Sequence, residues 1–135
     1  MSFELHPVLA RDTLPVAGLP ESELLLMNDS RFPWCILVPR IAGTSEWHHL
    51  PEAVQQNVMK EITAVASFLE ALPEITKLNV RALGNRVPQL HIHVLGRHPQ
   101  DPAWPDPVWG FGTAQPYEAA AAEKLIDSIR AAVAR

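Results

Sequence analysis

Two histidines spaced two residues apart, His91 and His93, are the strongest chemical signal in this chain. They lie in Gln89-Leu90-His91-Ile92-His93-Val94-Leu95-Gly96-Arg97, where polar and aliphatic residues alternate. Strand side chains point to opposite faces with a period of two, so Gln89, His91 and His93 share one face and Leu90, Ile92 and Val94 share the other. Imidazole changes charge near neutrality and can offer a bare nitrogen, so the pair suits nucleophilic attack, proton transfer or metal binding. A structural role is the third reading. It is less economical than for a lone histidine, because two buried imidazoles both need hydrogen-bond partners.

Other residues narrow these readings without closing them. A zinc site needs three or four ligands. His48, His49 and His98 are available, but they show no ligand spacing and no acidic ligand stands near the pair. No metal ligand set and no cofactor is therefore assigned. His48-His49 is placed at a helix entrance and His6, before Pro7, on the surface. Cys35 is the only cysteine, which excludes an intrachain disulfide and a cysteine-based zinc cluster. Its neighbours Trp34, Ile36, Leu37 and Val38 make it a buried apolar residue. Gly84-Asn85-Arg86 precedes the histidines, and its backbone and polar side chains can reach the same pocket mouth, where an anion would fit. The same residues are also common in ordinary hairpin turns. Trp104 and Trp109 suit stacking on a base or packing across an interface.

The elements that must position these groups follow from periodicity. Leu24 to Met27 and Ile36 to Val38 flank Asn28-Asp29-Ser30-Arg31, a pattern that predicts a β-hairpin over 23–40. Thr13 to Gly18 supplies an edge strand, where Pro15 is tolerated. Leu50, Val54, Val58, Ile62, Val65, Leu69 and Leu72 recur at spacings of three and four, which predicts an amphipathic helix with Pro51 in its first turn and Pro73 beyond its end. Leu78, Val80 and Ala82 restore the strand period ahead of the histidine segment. Residues 98–112 hold four prolines and two tryptophans and form a loop packed on the domain or on a partner subunit. A final alanine-rich helix runs over 117–135. The expected class is α+β: a mostly antiparallel sheet of about five strands with helices on one side.

Composition sets the outer bounds. One domain spanning 1–135 is expected, since the length and the 47% hydrophobic content allow a real core. The net charge of −4 and the scattered eleven Lys and Arg residues argue against nucleic acid as a partner. No apolar run approaches a membrane span, and the first residues lack the character of a signal peptide, so a cytoplasmic protein without membrane contact is expected.

The segment Gln89 to Leu95 resembles the signature of the histidine triad (HIT) family, in which three histidines alternate with apolar residues along one strand. The Leu-Met-Asn-Asp hairpin, the Ile36 to Arg40 strand, the long helix and the strand and loop before the motif extend the likeness over residues 12 to 110. The resemblance implies a nucleotide substrate, attack by His91 on the α-phosphorus, a nucleotidyl-histidine intermediate hydrolysed by water, and no metal. It implies that His93 binds phosphate oxygens, that Asn28 with Asp29 holds the ribose, that Asn85 contacts phosphate, and that the chain is a homodimer with the tryptophan loop near the site. The departure is Gln89, which stands where the family has its first histidine. Its backbone carbonyl can still orient His91, and its amide can replace some of the missing imidazole's bonds. The serine usual in the preceding loop is absent, and Arg86 there can bind a polyphosphate leaving group.

Overall fold

The computed structural model describes residues 2–133. Five antiparallel strands, β1 (Thr13–Gly18), β2 (Ser22–Met27), β3 (Trp34–Pro39), β4 (Lys77–Ala82) and β5 (Ile92–Arg97), form one open sheet in the order β1-β2-β3-β5-β4. The hairpin joining β2 and β3, the proline-bearing edge strand β1 and the β4–β5 pair lie where the alternation places them, except that β5 starts at Ile92 and Gln89, Leu90 and His91 of the alternating segment precede it. A register shift in β1 between Pro15 and Ala17 accommodates the proline at the edge. The histidine strand β5 is central, between β3 and β4.

The sheet separates two apolar layers. On one face α2 (Glu52–Glu70) and α3 (Ala119–Val133) cover Leu24, Leu26, Cys35, Leu37, Leu90, Ile92 and Val94. Val58, Ile62, Val65 and Leu69 of α2 are buried there, as their spacing predicts. Each such side chain contributes on the order of 1.5–3 kcal/mol through burial. The helix is shorter than the apolar pattern suggested, because Pro51 lies just outside it as the N-cap and Ala71 ends it. The last helix likewise begins at Ala119 rather than Tyr117, and residues 134–135 lie outside the described residues.

The opposite face departs from the expectation that helices keep to one side. A short helix, α1 (Pro7–Asp12), packs there with the proline loop, placing Leu9, Ala103 and Val108 against Leu25, Phe32, Trp34, Ile36 and Leu95. Six residues are too few to display a helical period, but the local signals are sound. His6 caps the helix by accepting the Val8 N–H, and Pro7 occupies the first turn. The proline loop is ordered by a buried ion pair: Arg97 Nε lies 2.6 Å from Asp101 Oδ2. The same guanidinium donates to Asn79 Oδ1 and the Asp106 carbonyl, and it lies near the rings of Phe32 and Trp104. Asp101 in turn accepts the backbone N–H groups of Ala103 and Trp104. No helix among the described residues is long and apolar enough to cross a membrane.

Candidate active site

His93 lies in β5, opposite Ile36 of β3 and Arg81 of β4, and His91 immediately precedes the strand. Both are buried, with ring centroids 4.9 Å apart. Hydrogen bonds set their tautomers. The His91 Nδ1–H donates to the Gln89 backbone carbonyl at 2.7 Å, because a carbonyl can only accept. That leaves the lone pair on Nε2. His93 has the reverse arrangement: the Trp34 indole N–H donates to its Nδ1 at 2.9 Å, so its proton sits on Nε2. One ring therefore offers a nucleophilic nitrogen and its neighbour offers an N–H donor.

Burial reinforces this assignment. Desolvation pushes the His91 pKa below its ordinary value; the Gln89 carbonyl opposes the shift and nearby His6 adds to it. His93 falls to about 3, first through desolvation and then through the neighbouring His91 and Arg81. Both rings are neutral at pH 7, which keeps the His91 nitrogen unprotonated and makes His93 a hydrogen-bond donor rather than an acid.

The pair lines a cavity of about 560 Å³ bounded also by Val8, Met27, Asn85, Arg86 and Trp109. Trp109 stands 5.2 Å from His93, and the Arg81 guanidinium lies 4.9 Å from the Trp109 ring centre. The Trp109 Nε1–H is buried and has no partner among the described residues. Gly110, next to it, has φ of +80°, a conformation that L side chains rarely adopt. A second cavity of about 570 Å³ contains Asn28 and Asp29 and shares Met27, Arg86 and Trp109 with the first. A third, of about 350 Å³, meets the first at His91, Leu83 and Asn85 and is lined as well by Ser45, Glu46 and Gln89.

The HIT domain profile matches residues 12–100, two thirds of the chain. The chain belongs to the HIT family. A histidine triad protein from Marinobacter aquaeolei is 40% identical, with 99% of this chain and 98% of that one covered and a TM-score of 0.96. Histidine triad proteins from Bradyrhizobium japonicum and Sinorhizobium meliloti are 38% and 40% identical, with TM-scores of 0.95 and 0.93. Coverage is 98% of this chain and 99% of that one for the first, and 96% of each chain for the second. A search of curated proteins yields no match.

The remaining site candidates of this HIT protein are placed unevenly. His91, His93, Asn85, Arg86 and Trp109 surround one cavity. Asp29 lies at the edge of the assembly with its carboxylate committed. It takes a two-pronged ion pair from Arg31 and the backbone N–H groups of Arg31 and Gln115. Burial raises its pKa, but those donors outweigh burial and hold it below the ordinary value. The Asn28 side-chain oxygen, Oδ1, accepts the Tyr117 N–H. The Gln89 amide does not enter the cavity as a substitute imidazole: its oxygen accepts the His6 N–H and its nitrogen donates to the Glu4 carbonyl, both at 2.8 Å. His6 is accordingly half-buried beside the site rather than a free surface residue.

The sequence pattern does not show three contacts around the pair: the Trp34 indole on His93, Arg81 opposite His93, and the His6 backbone on Gln89. For Trp34 the available signal was its place at the start of β3, and for Arg81 its shared face with Asn79. His48 and His49 sit in a short 3-10 turn, Trp47–His49, ahead of α2. No group of three His, Cys, Asp or Glu residues among those described is placed to hold a metal ion.

Proposed function

We propose that this HIT protein is a nucleotide hydrolase or nucleotidyl transferase working through a nucleotidyl-histidine intermediate. The substrate class is a nucleoside phosphoramidate or a dinucleoside polyphosphate. The observation that carries this reading is the 2.7 Å bond from His91 Nδ1 to the Gln89 carbonyl, because it turns the lone pair of a neutral, buried imidazole to Nε2. In the proposed reaction that lone pair forms the N–P bond at the α-phosphorus while the bond to the leaving group breaks and its electron pair departs with the leaving atom. Water then attacks the same phosphorus and returns His91 to its neutral form. Two smaller displacements replace one difficult step.

The other side chains take roles that suit their geometry. His93 donates its Nε2–H to a phosphate oxygen, and the unpartnered Trp109 indole N–H supplies a further donor while its ring bounds the nucleotide. Asn85 and Arg86 receive phosphate oxygens of the substrate. Asn28 offers its amide nitrogen to the ribose, with Asp29 fixing the loop that carries it. No cofactor enters the scheme. The protein works as a cytoplasmic homodimer in this reading, and the dimer draws support from Val80 on the open edge strand β4 and Met59 on α2. These are large apolar residues, 51% and 52% exposed.

A second reading, a nucleotide-binding module with little turnover, draws support from Gln89, whose amide is spent on the N-terminal segment instead of the reaction. Intact-mass spectrometry of wild type and His91→Ala separates the two readings. Each is quenched in mild base after brief incubation with an adenosine phosphoramidate, and product release is followed in parallel. An adduct on wild type alone, with turnover, is expected. Wild-type rates in His91→Ala would remove the nucleophile, and tight binding without turnover would leave the binding module.

A further inference from the structure

Gln89 connects two histidines. Its backbone carbonyl holds His91, while its side-chain amide holds the N-terminal arm at two points, the His6 N–H and the Glu4 carbonyl. An amide presents its acceptor and donor side by side, as a strand residue does, and so matches two backbone groups two residues apart. The donor and acceptor nitrogens of an imidazole point away from each other and do not match them. The arm is anchored again downstream, where Leu9 is buried and its carbonyl accepts the Thr13 hydroxyl at 2.6 Å.

His6 is thereby fixed at a boundary. Val8 and Leu9, just after it, line the 560 Å³ cavity with His91 and His93, whereas Gln89, to which it is bonded, lines the 350 Å³ cavity. The two cavities meet at His91. Displacement at phosphorus needs room for the nucleoside and for the leaving group on different sides of the reacting atom, and two cavities joined at the nucleophile provide it. The His6 ring accepts the Val8 N–H on Nδ1, so its proton is on Nε2, and that N–H has no partner among the described residues. The two histidines are tied through one residue, since the Gln89 side-chain oxygen holds the His6 N–H and the Gln89 backbone carbonyl holds the His91 ring.

We propose that His6 is a catalytic residue of this site, donating its Nε2–H to the leaving oxygen, and that Gln89 is the residue that positions it. The proposal rests on His91 being the nucleophile. As the His91 Nε2–P bond forms and the P–O bond breaks, the electron pair stays on the leaving oxygen. His6 stabilises that pair by a hydrogen bond and keeps its own proton, and the departing oxygen takes a proton from water. The first histidine missing from the motif is thus replaced in space by one from the N-terminal arm.

The test uses the full chain and a series of adenosine 5′-monophosphate aryl esters running from p-nitrophenyl to unsubstituted phenyl. His6→Asn keeps a side chain able to cap α1 but removes the imidazole donor. The variant should lose least on the nitrophenyl ester, because that oxygen needs little stabilisation. It should lose about tenfold or more on the phenyl ester, toward the range for removing one donor to a developing oxyanion. His6→Gln provides a second version of the same loss, and limited proteolysis confirms that the arm stays docked. A loss equal across the whole series would make His6 structural, and no loss would remove it from the reaction; either outcome overturns the proposal. An active His91→Ala, or a wild type with neither adduct nor turnover on the nitrophenyl ester, would remove the underlying nucleophile and this proposal with it.

Discussion

Acidification from pH 7 to pH 5 should destabilise the protein through His93 in particular. Its pKa is about 3 in the folded chain and about 6.5 when unfolded. Below pH 6.5 the unfolded chain therefore binds a proton that the folded chain refuses, and stability falls as pH falls, down toward pH 3. At pH 5 the unfolded ring is almost fully protonated and the folded ring is neutral. The linkage over 1.5 pH units is worth about 2 kcal/mol, at 1.36 kcal/mol per unit. His91, shifted the same way, adds to the loss. His93→Asn removes the titrating group while leaving an amide oxygen that can accept the Trp34 indole N–H. Urea unfolding of both proteins at pH 7 and pH 5 gives the comparison. Wild type should lose about 2 kcal/mol more than His93→Asn between the two values. Losses equal to within about 0.5 kcal/mol, near the resolution of such comparisons, would refute the idea that burial holds His93 neutral.

Two further outcomes follow from other parts of the structure. Asp101→Ala strands the Arg97 guanidinium in a buried position, so unfolding free energy should drop by about 3–5 kcal/mol and the proline loop should become sensitive to protease; an effect under about 1 kcal/mol would mean the pair is solvated. Trp109→Phe keeps an aromatic ring in the cavity wall and removes the buried, unpartnered indole N–H, so calorimetric affinity for adenosine monophosphate should weaken about tenfold, the loss of one hydrogen bond to a charged acceptor. Unchanged affinity would show that this N–H does not reach the ligand.

Local periodicity carried most of the element list. Alternation around His91 and His93 placed both imidazoles on one face, because a strand's side chains alternate whatever lies beside it. The same physics made α2 legible from Val58, Ile62, Val65 and Leu69, and the polar run after Met27 marked the β2–β3 hairpin. The short α1 was not legible. Six residues carry no period, and Pro7 reads as a breaker until the helix it starts is known.

The state of the histidine pair was decided partly at longer range. The alternation shows that His91 and His93 lie side by side, but their tautomers depend on partners: a carbonyl two residues back and the indole of Trp34, which is 59 residues away in the chain. Asp29 and Gln89 show the same division. Their side chains are chemically competent for a substrate, yet Arg31 and Gln115 occupy one and the N-terminal arm occupies the other. The sequence by itself determined which residue types share a face and where helices and strands form, because those depend on neighbours within a few positions. Only the tertiary structure decided that β5 lies between β3 and β4, that Gln89 holds the arm carrying His6 and that Trp109 packs edge-on against His93, because these contacts join segments distant in the chain.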